Sequence, residues 1–255
     1  MNLLPSQPQK ARVGFPVSDS WLIYGQPKIG KTTLAASFPD VFFIDLEEGA
    51  SEIDGVIVSK PKSLDELSEV LEGLEGPYGK KFATIVIDSI DVVYDWIEQE
   101  TCLDLSKKFK MKIDNIGEGP NGADWAEARK RLLGFVQAWR QLGKTIVFIA
   151  HAKSVMSEKG AITQKARTID LPGKLAHRFP AKVDHIAFCY AEKEKDSRGK
   201  TTISRFISFQ PYEDLEAGSR CKELQGQIVP MSFDAIRECF SKSSTKTLKP
   251  AQARR

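Results

Sequence analysis

The segment Gly25-Gln26-Pro27-Lys28-Ile29-Gly30-Lys31-Thr32 has the spacing G-x-x-x-x-G-K-T, and it restricts the fold more than any other stretch of the chain. Such a loop functions between a buried strand and a helix. Its glycines let the backbone curl so that successive N–H groups point at phosphate oxygens, and the helix that follows adds its positive end. Both flanks are present: Trp21-Leu22-Ile23-Tyr24 reads as an apolar strand, and Thr33-Leu34-Ala35-Ala36-Ser37-Phe38 reads as helix. The candidate nucleotide-binding set is therefore Gly25, Gln26, Pro27, Lys28, Ile29, Gly30, Lys31, Thr32 and Thr33. In it Lys31 faces the β and γ phosphates and the Thr32 hydroxyl reaches Mg²⁺. The expected ligands are ATP and Mg²⁺.

Four more apolar runs, Val41-Phe42-Phe43-Ile44, Val56-Ile57-Val58, Thr84-Ile85-Val86-Ile87 and Thr145-Ile146-Val147-Phe148-Ile149, alternate with amphipathic segments. That alternation predicts an α/β fold whose mainly parallel sheet is flanked by helices. Ser63-Leu64-Asp65-Glu66 has capping-box spacing ahead of Leu67, Leu71 and Leu74, which predicts a helix there. A second helix is predicted over 123–142, with Trp125, Ala128, Leu132, Phe135, Val136 and Trp139 on one face and Gly143 as its C-terminal stop. The stretch 152–180 is polar and reads as a long loop. Residues 184–210 read as a C-terminal β-hairpin around a charged turn, followed by a helix at 232–240.

A magnesium nucleotide needs a carboxylate at the end of a neighbouring buried strand, and Asp88 in "ATIVIDS" supplies it. Hydrolysis also needs a base opposite the γ phosphate. "FFIDLEEG" ends a strand with three carboxylates, and strand alternation would put Asp45 and Glu47 on one side; Glu47 is the candidate. His151 ends the strand "TIVFIAH", where a polar side chain can sense the γ phosphate.

Composition narrows the classes. The 255 residues suffice for one large α/β domain, and 37 Lys+Arg against 34 Asp+Glu give only +3, so any polyanion-binding surface must be local. The longest uncharged run, 224–233, is too short to span a bilayer, so a soluble chain with no membrane association is expected. Cys102, Cys189, Cys221 and Cys239 are widely spaced, which argues against a zinc site or a disulfide framework and fits a reducing cytoplasm.

Taken in order, "GQPKIGKT", "FFIDLE", "IVIDS" and "IVFIAH" resemble the ATPase core of the RecA recombinase superfamily, over about residues 20 to 210. "DLPGKLAHRFPAKVDHIAF" and "FISFQPYEDLEAGSR" look most like the compact RecA-like proteins that bacteriophages use for single-strand annealing and recombination. The resemblance implies an N-terminal extension over 1–19, a RecA-like P-loop ATPase domain over 20–240 and a basic, disordered tail over 241–255. It implies Glu47 as catalytic base, Asp88 as the magnesium-linked acid and His151 as sensor, with Arg205 directed at the nucleotide of a neighbouring subunit. It further implies a homo-oligomer, ring or filament, working on single-stranded DNA alongside a single-strand-binding protein, in the host cytoplasm if phage-encoded. In such proteins the loop after the sensor strand contacts DNA. Here 153–182 carries seven cations against two acids, a net +5, and Lys153, Lys159, Lys165, Arg167, Lys174 and Arg178 are the expected contacts. Two other readings fit a P-loop: a kinase acting on a small molecule, and a nucleotide-gated scaffold for replication proteins.

Overall fold

The computed structural model describes residues 14–153, 155–156, 162–163, 168–195, 201–212 and 215–243. Most of the N-terminal extension, the hairpin turn 196–200 and the expected tail from 244 on lie outside them, while 241–243, read as the start of that tail, continue the last helix.

The five predicted strands all form, as β1 (Ser20–Gly25), β2 (Val41–Asp45), β3 (Ile57–Ser59), β4 (Thr84–Asp88) and β5 (Thr145–His151). They pair in parallel in the order β1-β5-β4-β2-β3. After β5 come a two-stranded ribbon, β6 (Val155–Met156) with β7 (Ile162–Thr163), and the predicted hairpin, β8 (His185–Lys195) with β9 (Thr201–Ser208). β8 joins β1 in parallel, and the short strands β10 (Gly218–Ser219) and β11 (Ile228–Pro230) complete a mixed, mostly parallel sheet of nine strands.

The apolar runs are continuous because both sheet faces are covered. Alternate residues divide between two cores. Leu22, Tyr24, Ile85, Ile87, Ile146 and Phe148 pack with α2 (Leu64–Glu75), α3 (Ile90–Phe109) and α4 (Ala123–Gln141). Trp21, Ile23, Val86, Val147, Ile149 and Ile207 pack with α1 (Lys31–Ala36) and, past the short α5 (Leu175–Arg178), with α6 (Phe233–Ser243). Parallel pairing puts the carboxyl ends of β1, β2, β4 and β5 along one edge, where the nucleotide loop lies.

Local signals explain most boundaries. Ser63 caps α2 by accepting the Glu66 N–H at 3.2 Å, while the Glu66 carboxylate accepts from the N–H of Lys62, one residue earlier than a reciprocal capping box requires. Gly143, with φ +66°, follows the last turn of α4. Trp125 departs from the expected buried face and is 39% exposed. Helix α3 has no counterpart in the sequence reading. It buries Ile90, Val93, Tyr94, Ile97, Thr101 and Leu105 at helical spacing, but exposed Leu103 and Phe109 blur that period. Lys107 and Lys108 occupy its last turn, and Lys112 pairs with Asp114.

The segment after α3 is pinned by buried Asp124, whose carboxylate accepts the N–H groups of Gly117 at 2.6 Å and Gly119 at 2.8 Å. Burial alone would raise this carboxyl. The N–H donors of Gly119, Gly117 and Trp125 hold it below the usual range instead.

Candidate active site

The loop 25–30 turns through left-handed backbone at Lys28 (φ 63°) and Gly30 (φ 107°) before α1 begins. Gly25 has a second reason to be glycine. It pairs with Cys189 of β8, and a Cβ there would lie 2.4 Å from the Cys189 carbonyl oxygen. The buried Lys31 side chain folds across the loop and donates to the carbonyls of Gly25 at 3.2 Å and Gln26 at 3.1 Å. Burial lowers its pKa against the pull of Asp88.

Thr32 Oγ1 donates to Asp88 Oδ2 at 2.7 Å. Burial, outweighing that bond, raises the Asp88 carboxyl to about 6. A Cβ on Gly49 would sit 3.5 Å from Thr32 Oγ1 and 3.6 Å from Asp88 Oδ2, so the glycine keeps the space beside this pair clear. A hydroxyl and a carboxylate flanking a clear space are hard oxygen donors, and they fit Mg²⁺.

The three carboxylates of "DLEEG" have three different positions. β2 stops at Asp45 and does not continue to Glu47, so the alternation argument that placed both on one side does not apply. Buried Asp45 accepts the N–H groups of Gly49 at 2.9 Å and Ala50 at 3.0 Å, closing the turn. Glu48 takes left-handed backbone and is exposed. Glu47 alone reaches the cluster: it accepts a hydrogen bond from the Ser89 hydroxyl, and its Oε1 is 3.8 Å from His151 Nδ1.

His151 is held by a residue absent from the sequence reading. Asp91 Oδ2 accepts the His151 backbone N–H at 2.9 Å and lies 3.0 Å from Nδ1. The Asp91 bond raises the imidazole pKa, against burial and the charge of Lys31. In the sequence Asp91 is an acid in the first turn of a helix, a common place for one, and the only hint of another role is its position three residues after Asp88.

Arg205 lies beside the P-loop of its own chain. β9 pairs antiparallel with β8, and this register leaves Arg205 on the face of Ile207, beside β11 and the P-loop. A Cβ on Gly30 would lie 3.4 Å from its Nη1. Arg205, Ile29, Gly30, Thr33, Met231 and Phe233 border a cleft of about 330 Å³ next to the loop. Of the expected DNA contacts, Lys153, Lys174 and Arg178 are exposed, while Lys159, Lys165 and Arg167 lie outside the described residues.

Comparisons with known proteins agree with this geometry. A family profile, AAA_24, described as an AAA domain, matches residues 19–221, and the chain belongs to that family. The protein is a P-loop ATPase by fold and family, and such ATPases use ATP with Mg²⁺. Among solved structures, the chain is similar to a KaiC-like protein, PH0186, from the hyperthermophilic archaeon Pyrococcus horikoshii OT3. Identity is 15%, the match covers 85% of this chain and 86% of that one, and the TM-score is 0.45. A comparison with curated protein sequences finds no match. Among the described residues, no helix is long and apolar enough to cross a membrane.

Proposed function

We propose that this chain is a single-stranded-DNA-binding ATPase of the compact phage-type recombination or strand-annealing kind, with ATP hydrolysis centred on Glu47. The observation that supports it best is the convergence of Lys31, the Thr32–Asp88 pair and the Glu47–His151–Asp91 cluster at the ends of four adjacent strands. The cationic segment follows directly after β5. Assembly as a homo-oligomer and cooperation with a single-strand-binding protein belong to the same proposal.

In this reading the Lys31 ammonium exchanges the carbonyls of Gly25 and Gln26 for β and γ phosphate oxygens. The nucleoside half extends past Gly30 and Thr33 into the cleft bordered by Arg205. Thr32 and Asp88 hold magnesium, which when bound neutralises charge developing on the phosphate oxygens. Glu47, steadied by Ser89, takes a proton from water as the water oxygen bonds to the γ phosphorus. The bond from that phosphorus to the β–γ bridging oxygen breaks, releasing ADP and phosphate. His151, fixed at Nδ1 by Asp91, has Nε2 left for the γ phosphate.

Phosphate release from Mg-ATP, measured with and without oligo-dT, tests the proposal. Release that rises with oligo-dT is expected. Transfer of the γ phosphate to a small molecule without DNA would favour the kinase reading instead.

A further inference from the structure

Trp125 stands out among the exposed apolar side chains because of what surrounds it. It lies in the first turn of α4, where an apolar face would be expected to bury it, yet its ring borders a cleft of about 300 Å³. Pro172, Gly173 and Leu175 of a distant segment line the same cleft, as do Arg129 and Lys174. No ion pair involving Arg129 or Lys174 occurs among the described residues.

Both segments are held in place. Asp124 fastens Gly117 and Gly119 to the start of α4, and a Cβ on Gly117 would lie 3.7 Å from Trp125 Nε1, so the edge of the indole is backed by that loop. The other segment is tied to β5: the Asp170 N–H donates to the His151 carbonyl at 2.9 Å, and Leu175 N–H closes a turn on Pro172. An ordered aromatic ring, an apolar cleft and two cations with no ion pair among the described residues form a recognisable combination. A flat π-system stacks on the ring while anions meet the cations. An apolar peptide would satisfy the cleft but would desolvate Arg129 and Lys174 without a counter-charge. A nucleic-acid strand supplies both partners.

We propose that the cleft between Trp125 and 172–175 is a base-stacking subsite for single-stranded DNA, in which one nucleobase lies on the Trp125 indole and the adjoining phosphates meet Arg129 and Lys174. The inference rests on the DNA-binding reading above and adds to it. The cationic segment itself offers no exposed Phe, Tyr or Trp, since its Phe179 is fully buried.

The test measures binding of the full chain to labelled oligo-dT and to an abasic oligonucleotide of equal length, which keeps the phosphates and lacks the bases. Trp125→Ala should weaken oligo-dT binding roughly 5- to 140-fold, equivalent to about 1 to 3 kcal/mol, and leave abasic binding unchanged. Trp125→Phe should restore most of the loss, and it controls for folding. Arg129→Ala with Lys174→Ala should weaken both oligonucleotides and flatten the slope of log K against log salt by about 1.4, from about 0.7 per contact. Equal losses on both oligonucleotides with Trp125→Ala, or none on either, would overturn the subsite while the DNA-binding reading stands. Wild-type chain that binds neither oligonucleotide would overturn both. A change in oligomer size with DNA affinity intact would make the cleft an interface between copies, and the subsite would again be wrong.

Discussion

Asp88 illustrates how a buried carboxylate weakens the fold that carries it. Its carboxyl is buried beneath Thr32, and burial raises its pKa from 3.8 in the unfolded chain to about 6. Below pH 4 the group is protonated in both states, and the shift is without effect. Between pH 4 and 6 the unfolded chain releases a proton that the native state retains, so stability falls as pH rises through that window. Above it, with neither nucleotide nor magnesium present, the two-unit difference corresponds to roughly 3 kcal/mol lost at neutral pH. Asp88→Asn keeps the shape and an oxygen to accept from Thr32 while removing the charge. In EDTA at pH 7.5 (about a physiological value) the variant should be more stable by about 1 to 3 kcal/mol, or roughly 2 to 12 °C in melting temperature. At pH near 4 the two proteins should melt together. With Mg-ATP the order should reverse, because only the wild type gains from magnesium. Differential scanning fluorimetry across pH measures all three. A variant less stable than wild type at neutral pH in EDTA would refute the burial argument.

Other outcomes follow from the same geometry. Lys31→Ala should retain the fold yet lose most of the roughly 2.7 kcal/mol that ATP at about 100 times Kd gives the wild type; equal thermal shifts would remove Lys31 from the site. Asp91 stabilises the protonated His151 ring, so Asp91→Asn should lower the His151 pKa and move the alkaline limb of the ATPase profile to lower pH. His151→Gln, which does not titrate, should remove that limb. An unchanged profile in Asp91→Asn would reduce Asp91 to a cap on α3.

How much of this was legible in sequence depended on how local each signal was. The P-loop, Asp88 and the five parallel strands rest on contiguous residues, so runs of Val, Ile and Phe and one glycine-lysine spacing suffice. The choice among Asp45, Glu47 and Glu48 favours Glu47 structurally because the Gly49 and Ala50 N–H groups turn back on Asp45, a bend that strand alternation does not encode. Asp91 was hidden because an acid at a helix start has an ordinary reason to be there. The surroundings of Arg205 and Trp125 were hidden for a common cause. Each belongs to an element whose periodicity is visible, but what each faces depends on segments far away in the chain: Gly30 and Met231 for Arg205, and Gly117 with 172–175 for Trp125.

Glu47→Gln tests the central claim most directly, measured as phosphate release from Mg-ATP alongside the thermal shift that reports ATP binding. The amide keeps the shape and a hydrogen bond to Ser89 but cannot take the proton from water. Hydrolysis should fall about 100- to 10,000-fold with the thermal shift intact. Wild-type turnover in Glu47→Gln would contradict the account and move the search for the base to Asp91 and its histidine.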